Sequence, residues 1–96
     1  MTEDAIDIRN NRDAMRYEWT IDGITAFVEY ALETEGRIVL THTEVPAGLA
    51  GRGIASRLVT ATLDAARAEN LKVVAQCAYV ASFLRRHPEY ADLVAQ

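Results

Sequence analysis

A strand that runs into a glycine-rich turn and straight on into a long amphipathic helix leaves few folds open. The stretch Thr41 to Leu58, reading THTEVPAGLAGRGIASRL, has that layout. The first four backbone N–H groups of a helix have no partner within it, and the aligned peptide dipoles place about half a positive charge there, so such a junction attracts anions. Gly51 and Gly53 suit the role, because a residue without Cβ lets the backbone bend sharply and lets a ligand approach its amides. The spacing excludes two familiar phosphate loops. No lysine follows the glycines, as a P-loop requires, and Gly48-Leu49-Ala50-Gly51-Arg52-Gly53 reads G-x-x-G-x-G where a dinucleotide fingerprint needs G-x-G-x-x-G.

The rest of the chain supplies what this junction packs against. Ile6 to Arg9 reads as a short edge strand, and Met15 to Ile21 alternates with Tyr17, Trp19 and Ile21 on one face. Asp22-Gly23 is the signal for a two-residue type I′ hairpin. The next strand runs from Ile24 to about Leu32, with Ala26, Val28, Tyr30 and Leu32 on one face. After a turn at Glu33–Gly36, Arg37 to Thr43 forms a further strand, with Ile38, Leu40 and His42 in phase. The helix from about Arg52 to Glu69 carries Ile54, Leu58, Ala61 and Ala65 along one stripe, and Asn70 is a left-handed cap before the apolar strand Leu71 to Cys77. Strand, helix and strand in succession predict a right-handed parallel crossover. A helix from Val80 to Arg86 and a last segment from Tyr90 to Val94 close the chain.

With 96 residues the expectation is a single domain, 1–96, of mixed α+β class. The net charge of −4, without a basic stripe, argues against nucleic acid as partner and favours a cationic substrate. One cysteine and two histidines exclude a disulfide framework and a structural zinc site, so no metal is expected. The acidic start and the lack of an 18-residue apolar run predict a cytoplasmic chain with no membrane partner. Exposed edge strands in so small a sheet fit a monomer or a weak homodimer.

The glycine loop resembles the pyrophosphate loop of the GNAT superfamily of N-acetyltransferases, whose pattern is Q/R-x-x-G-x-G/A. Gly51-Arg52-Gly53 match its second half, while Gly48 stands where that superfamily has Gln or Arg. With His42-Thr43-Glu44-Val45-Pro46, Cys77-Ala78-Tyr79-Val80 and Arg86-His87-Pro88-Glu89-Tyr90 in order, the chain resembles the short single-domain subfamily from about Ile6 to Val94. That resemblance implies a mostly antiparallel sheet joined to a splayed parallel pair, with acetyl-coenzyme A (acetyl-CoA) wedged in the splay. It implies the pyrophosphate on Ala50, Gly51, Arg52, Gly53 and Ile54, and the pantetheine arm along the backbone of Thr43 and Val45. The N-terminal helices that shape the acceptor pocket of larger members have no counterpart here.

Two residues are the candidates for chemistry. An imidazole near pKa 6.5 suits a base that takes a proton from an amine, which selects His42. A thiol facing the thioester serves as nucleophile or as acid for the leaving group, which selects Cys77. Both also have structural readings, as a hydrogen-bonded core histidine and as a small buried hydrophobe. Arg86 either contacts nucleotide phosphates or complements a helix dipole. The expected activity is acetyl transfer to a small amine or a lysine side chain. The alternatives are a coenzyme A-binding module with little or no catalysis, and a scaffold that binds no cofactor.

Overall fold

In the computed structural model, residues 7–95 are described. Strands β1 (Ile8–Asn11), β2 (Arg16–Ile21), β3 (Ile24–Glu33) and β4 (Arg37–Glu44) form an antiparallel meander in chain order. Helix α1 (Ile54–Ala68) crosses over the sheet to β5 (Lys72–Ala75), which pairs parallel with β4. Helix α2 (Ala78–Arg86) follows, and 3-10 turns occupy Ala47–Leu49 and Pro88–Leu93. This is the α+β class expected, a mixed sheet that is antiparallel except for one pair. The predicted start of the first strand at Ile6 lies outside the described residues.

Local chemistry accounts for the connections. Asp22 and Gly23 have φ of 52° and 78°, the two positive values that a type I′ turn demands. Asn70, at φ 59°, lets the chain leave α1 in the left-handed conformation that asparagine tolerates. The α1 stripe of Ile54, Leu58, Val59, Leu63 and Ala66 packs in one cluster with Tyr17 and Trp19 of β2, Ala26, Val28 and Tyr30 of β3, and Ile38 and Leu40 of β4. Thr62 is buried on that helix without an unmet donor, because its hydroxyl donates to the Leu58 carbonyl at 2.8 Å.

The parallel pair is closed at one end and open at the other. At the closed end the backbone N–H of Ala95 donates to the Val73 carbonyl at 2.9 Å, so the last residues cover the free edge of β5. Three side chains clip that segment down. Tyr90 donates to Asp64 of α1 at 2.9 Å, Arg67 pairs with Asp92 at 2.6 Å, and Lys72 donates to the Asp92 carbonyl at 2.7 Å. At the other end the β4–β5 ladder stops at Leu40 and Ala75, and the N–H groups of Gln76 and Cys77 both converge on the Leu40 carbonyl. Beyond that point β4 continues against β3 while the other chain turns into α2.

A bulge in β4 corrects the expected phase of that strand. Tyr30 pairs with Leu40 and Glu29 with His42, so Thr41 has no opposite number, and its hydroxyl donates to the Glu29 carbonyl at 3.2 Å. One extra residue exchanges the faces of everything after it. Thr43, opposite the buried Val28, therefore continues the face of Ile38 and Leu40. His42 does not. It joins Glu29 and Phe27 on the opposite side of the sheet.

Candidate active site

The glycine loop and the open end of the parallel pair meet in one groove of about 290 Å³, bounded by Val45, Ala50, Gly51, Gly53, Ile54 and Tyr79. Gly51 and Gly53 have φ of 78° and 71°, and a Cβ at either position would meet nothing within 4 Å. The open space beside these α-carbons therefore holds no protein atom, and the amides at the head of α1 are approachable from it. No acidic residue occupies the first turn of α1. Gly48 differs: a Cβ there would lie 2.7 Å from Cδ1 of Ile24. The long side chain of the Q/R position is thus replaced by packing of the 3-10 turn against β3.

Cys77 is the last residue before α2 and is buried. Its Sγ lies 3.4 Å from Oγ1 of Thr43. Burial pushes the thiol pKa up, but the Thr43 hydroxyl and the backbone N–H groups of Val80, Tyr79 and Thr43 favour the thiolate more strongly, and the net displacement is downward. Helix α2 supplies two of those donors because the amides of a first turn have no helical acceptor.

His42 sits across the strand from this thiol. Its Nε2 is 2.8 Å from Oε1 of Glu44, and both side chains are about half exposed, at 52% and 47%. Its ring centroid is 6.2 Å from that of Phe27, whose other neighbour is the Arg16 guanidinium, 4.2 Å from the ring centre. The structure thus joins Cys77 to Thr43 and His42 to Glu44, in two pairs on opposite faces of one strand beside the gap. The expectation that His42 is in phase with Ile38 and Leu40 is corrected by the bulge.

The candidate binding residues divide. Val45, Ala50, Gly51, Gly53 and Ile54 line the groove, and Thr43 reaches the thiol. Arg52 projects instead toward the β2–β3 hairpin, 3.9 Å from Asp22, and is half exposed. Arg86 is in the last turn of α2, about 10 Å along the helix axis from Tyr79, where its charge complements the helix dipole. The structure does not bring Arg86 to the groove. Sequence reasoning gave Glu44 and Tyr79 no site role beyond their place in the motifs, and gave Ser56 none. Glu44 was detectable, since two residues along a strand from His42 it must share its face. Ser56 and Tyr79 enter the groove through tertiary placement. Among the described residues no group of three or more His, Cys, Asp or Glu side chains converges to hold a metal.

A mixed sheet whose single parallel pair opens beside a glycine-headed helix defines a class of small acyl-transfer folds, and comparison with known proteins narrows it. The family model described as GCN5-related N-acetyl-transferase matches residues 16–93. The chain belongs to that family. It is similar to Protein NATD1 of Bos taurus and of Homo sapiens, each 36% identical over 93 residues that cover 90% of this chain and 80% of the relative. It also resembles the solution NMR structure of a GCN5-like protein from Staphylococcus aureus, with a TM-score of 0.74 and 25% identity. That match covers 94% of this chain and 88% of the other.

Proposed function

We propose that this protein transfers an acetyl group from acetyl-CoA to an amine. The observation that carries the proposal is the pair of left-handed glycines, Gly51 and Gly53, which leave amides and empty space at the head of α1 where β4 and β5 part. When bound, acetyl-CoA supplies an acyl group activated as a thioester. The loop from Ala50 to Ile54 holds its diphosphate through backbone N–H groups, and Ser56 adds a hydroxyl on the same wall. The backbone of Thr43 and Val45 offers the free edge of β4 to the pantetheine arm, in the manner of an added strand. Arg52 enters this reading through its backbone N–H alone, since its side chain turns to Asp22, and Arg86, in the last turn of α2, has no part in it.

The two reactive pairs take separate tasks. Hydrogen bonds to Cys77 favour its thiolate, which suits a nucleophile. It takes the acetyl group, displacing coenzyme A as its own thiolate. Attack by the acceptor amine on the acetyl-cysteine then breaks the new C–S bond and restores the Cys77 thiolate. His42 accepts the proton that the acceptor amine must lose, and Glu44 orients the ring and stabilises the imidazolium that results. His42 and Glu44 lie on the face of β4 opposite to Thr43, so in this reading the acceptor amine approaches the end of the β4–β5 ladder from that face. The carboxylates of Glu44, about half exposed, and of the partly buried Glu29 opposite His42 suit a cationic acceptor, in keeping with the chain's net charge.

Calorimetry with acetyl-CoA, followed by assay of released thiol with a panel of primary amines, tests this reading. Binding by the natural chain, loss of binding in Gly53→Ala and amine-dependent thiol release are expected. Absence of heat up to millimolar ligand overturns the proposal. Binding without thiol release under any acceptor gives the binding module instead.

A further inference from the structure

The bulge at Thr41 places a hydroxyl on the only sulfhydryl of the chain. Without the extra residue, His42 would follow Leu40 on the core side and Thr43 would point away. With it, the Thr43 hydroxyl comes to 3.4 Å from that sulfur and can donate to it when the thiol ionises. We propose that Thr43 is a positioning residue that holds the Cys77 sulfur toward the open end of the β4–β5 pair. The inference rests on the acetyl-transfer reading for its purpose, and on the Thr43–Cys77 contact for its geometry.

Three features support it. The contact joins residues 34 apart in the chain, from β4 and from the head of α2, across the point where the ladder ends. Cys77 immediately precedes α2, so the first-turn amides of Tyr79 and Val80, which favour its thiolate, belong to the helix while Thr43 belongs to β4. The titratable groups on the adjoining elements leave this task to hydrogen bonds. Tyr79 lines the groove on α2, and His42 and Glu44 on β4 face the far side of the sheet and bond each other. No charged side chain is among the causes of the displacement of the thiol pKa.

Because the chain has one cysteine, the absorbance near 240 nm taken as the difference from Cys77→Ser, which cancels the four tyrosines, reads the Cys77 thiolate. The test follows that signal against pH in the full chain for the natural protein, Thr43→Val, Thr43→Ala and Thr43→Ser, with Cys77→Ser as blank and circular dichroism as the check on folding. Removing the hydroxyl in either Thr43→Val or Thr43→Ala should move the midpoint up by roughly half a pH unit to one unit. Acetyl transfer at pH 7 should fall roughly three- to tenfold in step, and Thr43→Ser should restore both. Thr43→Val and Thr43→Ala remove the same hydroxyl by different means, so either one that folds decides the matter. An unmoved midpoint in a folded variant overturns the inference, as does a moved midpoint with unchanged transfer. Should the natural chain release no thiol from acetyl-CoA, the functional reading falls by itself, since the titration needs no ligand.

Discussion

The two ends of the β4–β5 pair are built on opposite principles. At the end marked by Arg37 and Lys72 the ladder is continuous, and Tyr90, Arg67 and Lys72 fasten the C-terminal segment over the edge. At the end marked by Leu40 and Ala75 the strands part, and the nearest structure is backbone amides, two glycines and a thiol. The first end is covered by chain, whereas the second has open space beside its two glycines. A fold that was only a scaffold would have no reason to differ so sharply over four residue pairs. The contrast predicts that side-chain changes at the closed end register in stability, and that small changes at the open end register in binding.

The largest stability effect should come from the core that both ends share. Leu63 is fully buried in α1, so Leu63→Ala removes apolar contacts that the sheet cannot collapse to replace. A loss of about 2–5 kcal/mol is expected, which for a domain this size lowers the melting temperature by roughly 4–8 °C per kcal/mol. Thermal unfolding by circular dichroism reads it. A loss below about 1 kcal/mol would show the α1–sheet packing to be looser than described.

Gly53→Ala probes the open end. The space around the α-carbon is empty, so its cost is conformational, about 1–2 kcal/mol for an L residue held at positive φ. Coenzyme A binding should nonetheless disappear, because the new methyl enters the groove where the amides are approached. A ligand at one hundred times its dissociation constant adds about 2.7 kcal/mol to the stability of a chain that binds it. The natural protein should gain that increment and Gly53→Ala should not. An equal gain in both would move the anion site off this loop.

These effects also divide what was legible in the sequence from what was not. Asp22-Gly23 and Asn70 act through their own backbone preferences, so their positive φ values follow from residue type alone. The glycine loop and the parallel crossover follow from composition and element order, and both stand in the structure. His42 did not follow. Alternation along β4 put it with Leu40, but strand phase is set by the partner strand, and one unmatched residue at Thr41 reverses it. The same holds for the clip of Tyr90 on Asp64, where the partners are 26 residues apart and nothing near either one announces the other. Arg86 carried the charge a phosphate wants, yet its position in the last turn of α2 rather than the first directs it elsewhere.

At the closed end, Tyr90→Phe removes the hydrogen bond to Asp64 and leaves the ring on Phe83 and beneath the Arg67 guanidinium. A loss of about 1 kcal/mol is expected, since Asp64 recovers water as its partner. Coenzyme A binding should not change. A variant that unfolded no earlier than the natural chain would mean that Arg67 and Lys72 alone hold the segment down.

The smallest effect separates the two ends by the sign of their pH dependence. Burial and the Asp64 carboxylate raise the Tyr90 pKa, so the stability this group contributes is complete below the ordinary tyrosine value and is lost as pH rises through the folded one. Cys77 runs the other way. Its folded pKa is lowered, so its contribution is complete only above the ordinary thiol value and is lost as pH falls through the lowered one. Denaturant unfolding between pH 6 and 9 should therefore show the natural chain gaining on Cys77→Ser as pH rises, while Tyr90→Phe keeps a constant deficit over the same range. Thr43→Val should flatten the first slope and leave the second alone, because the hydroxyl lies at the open end only. If Cys77→Ser followed the natural chain in parallel, the thiol would titrate alike in the folded and the unfolded chain, and the hydrogen bonds of the open end would not favour its ionised form.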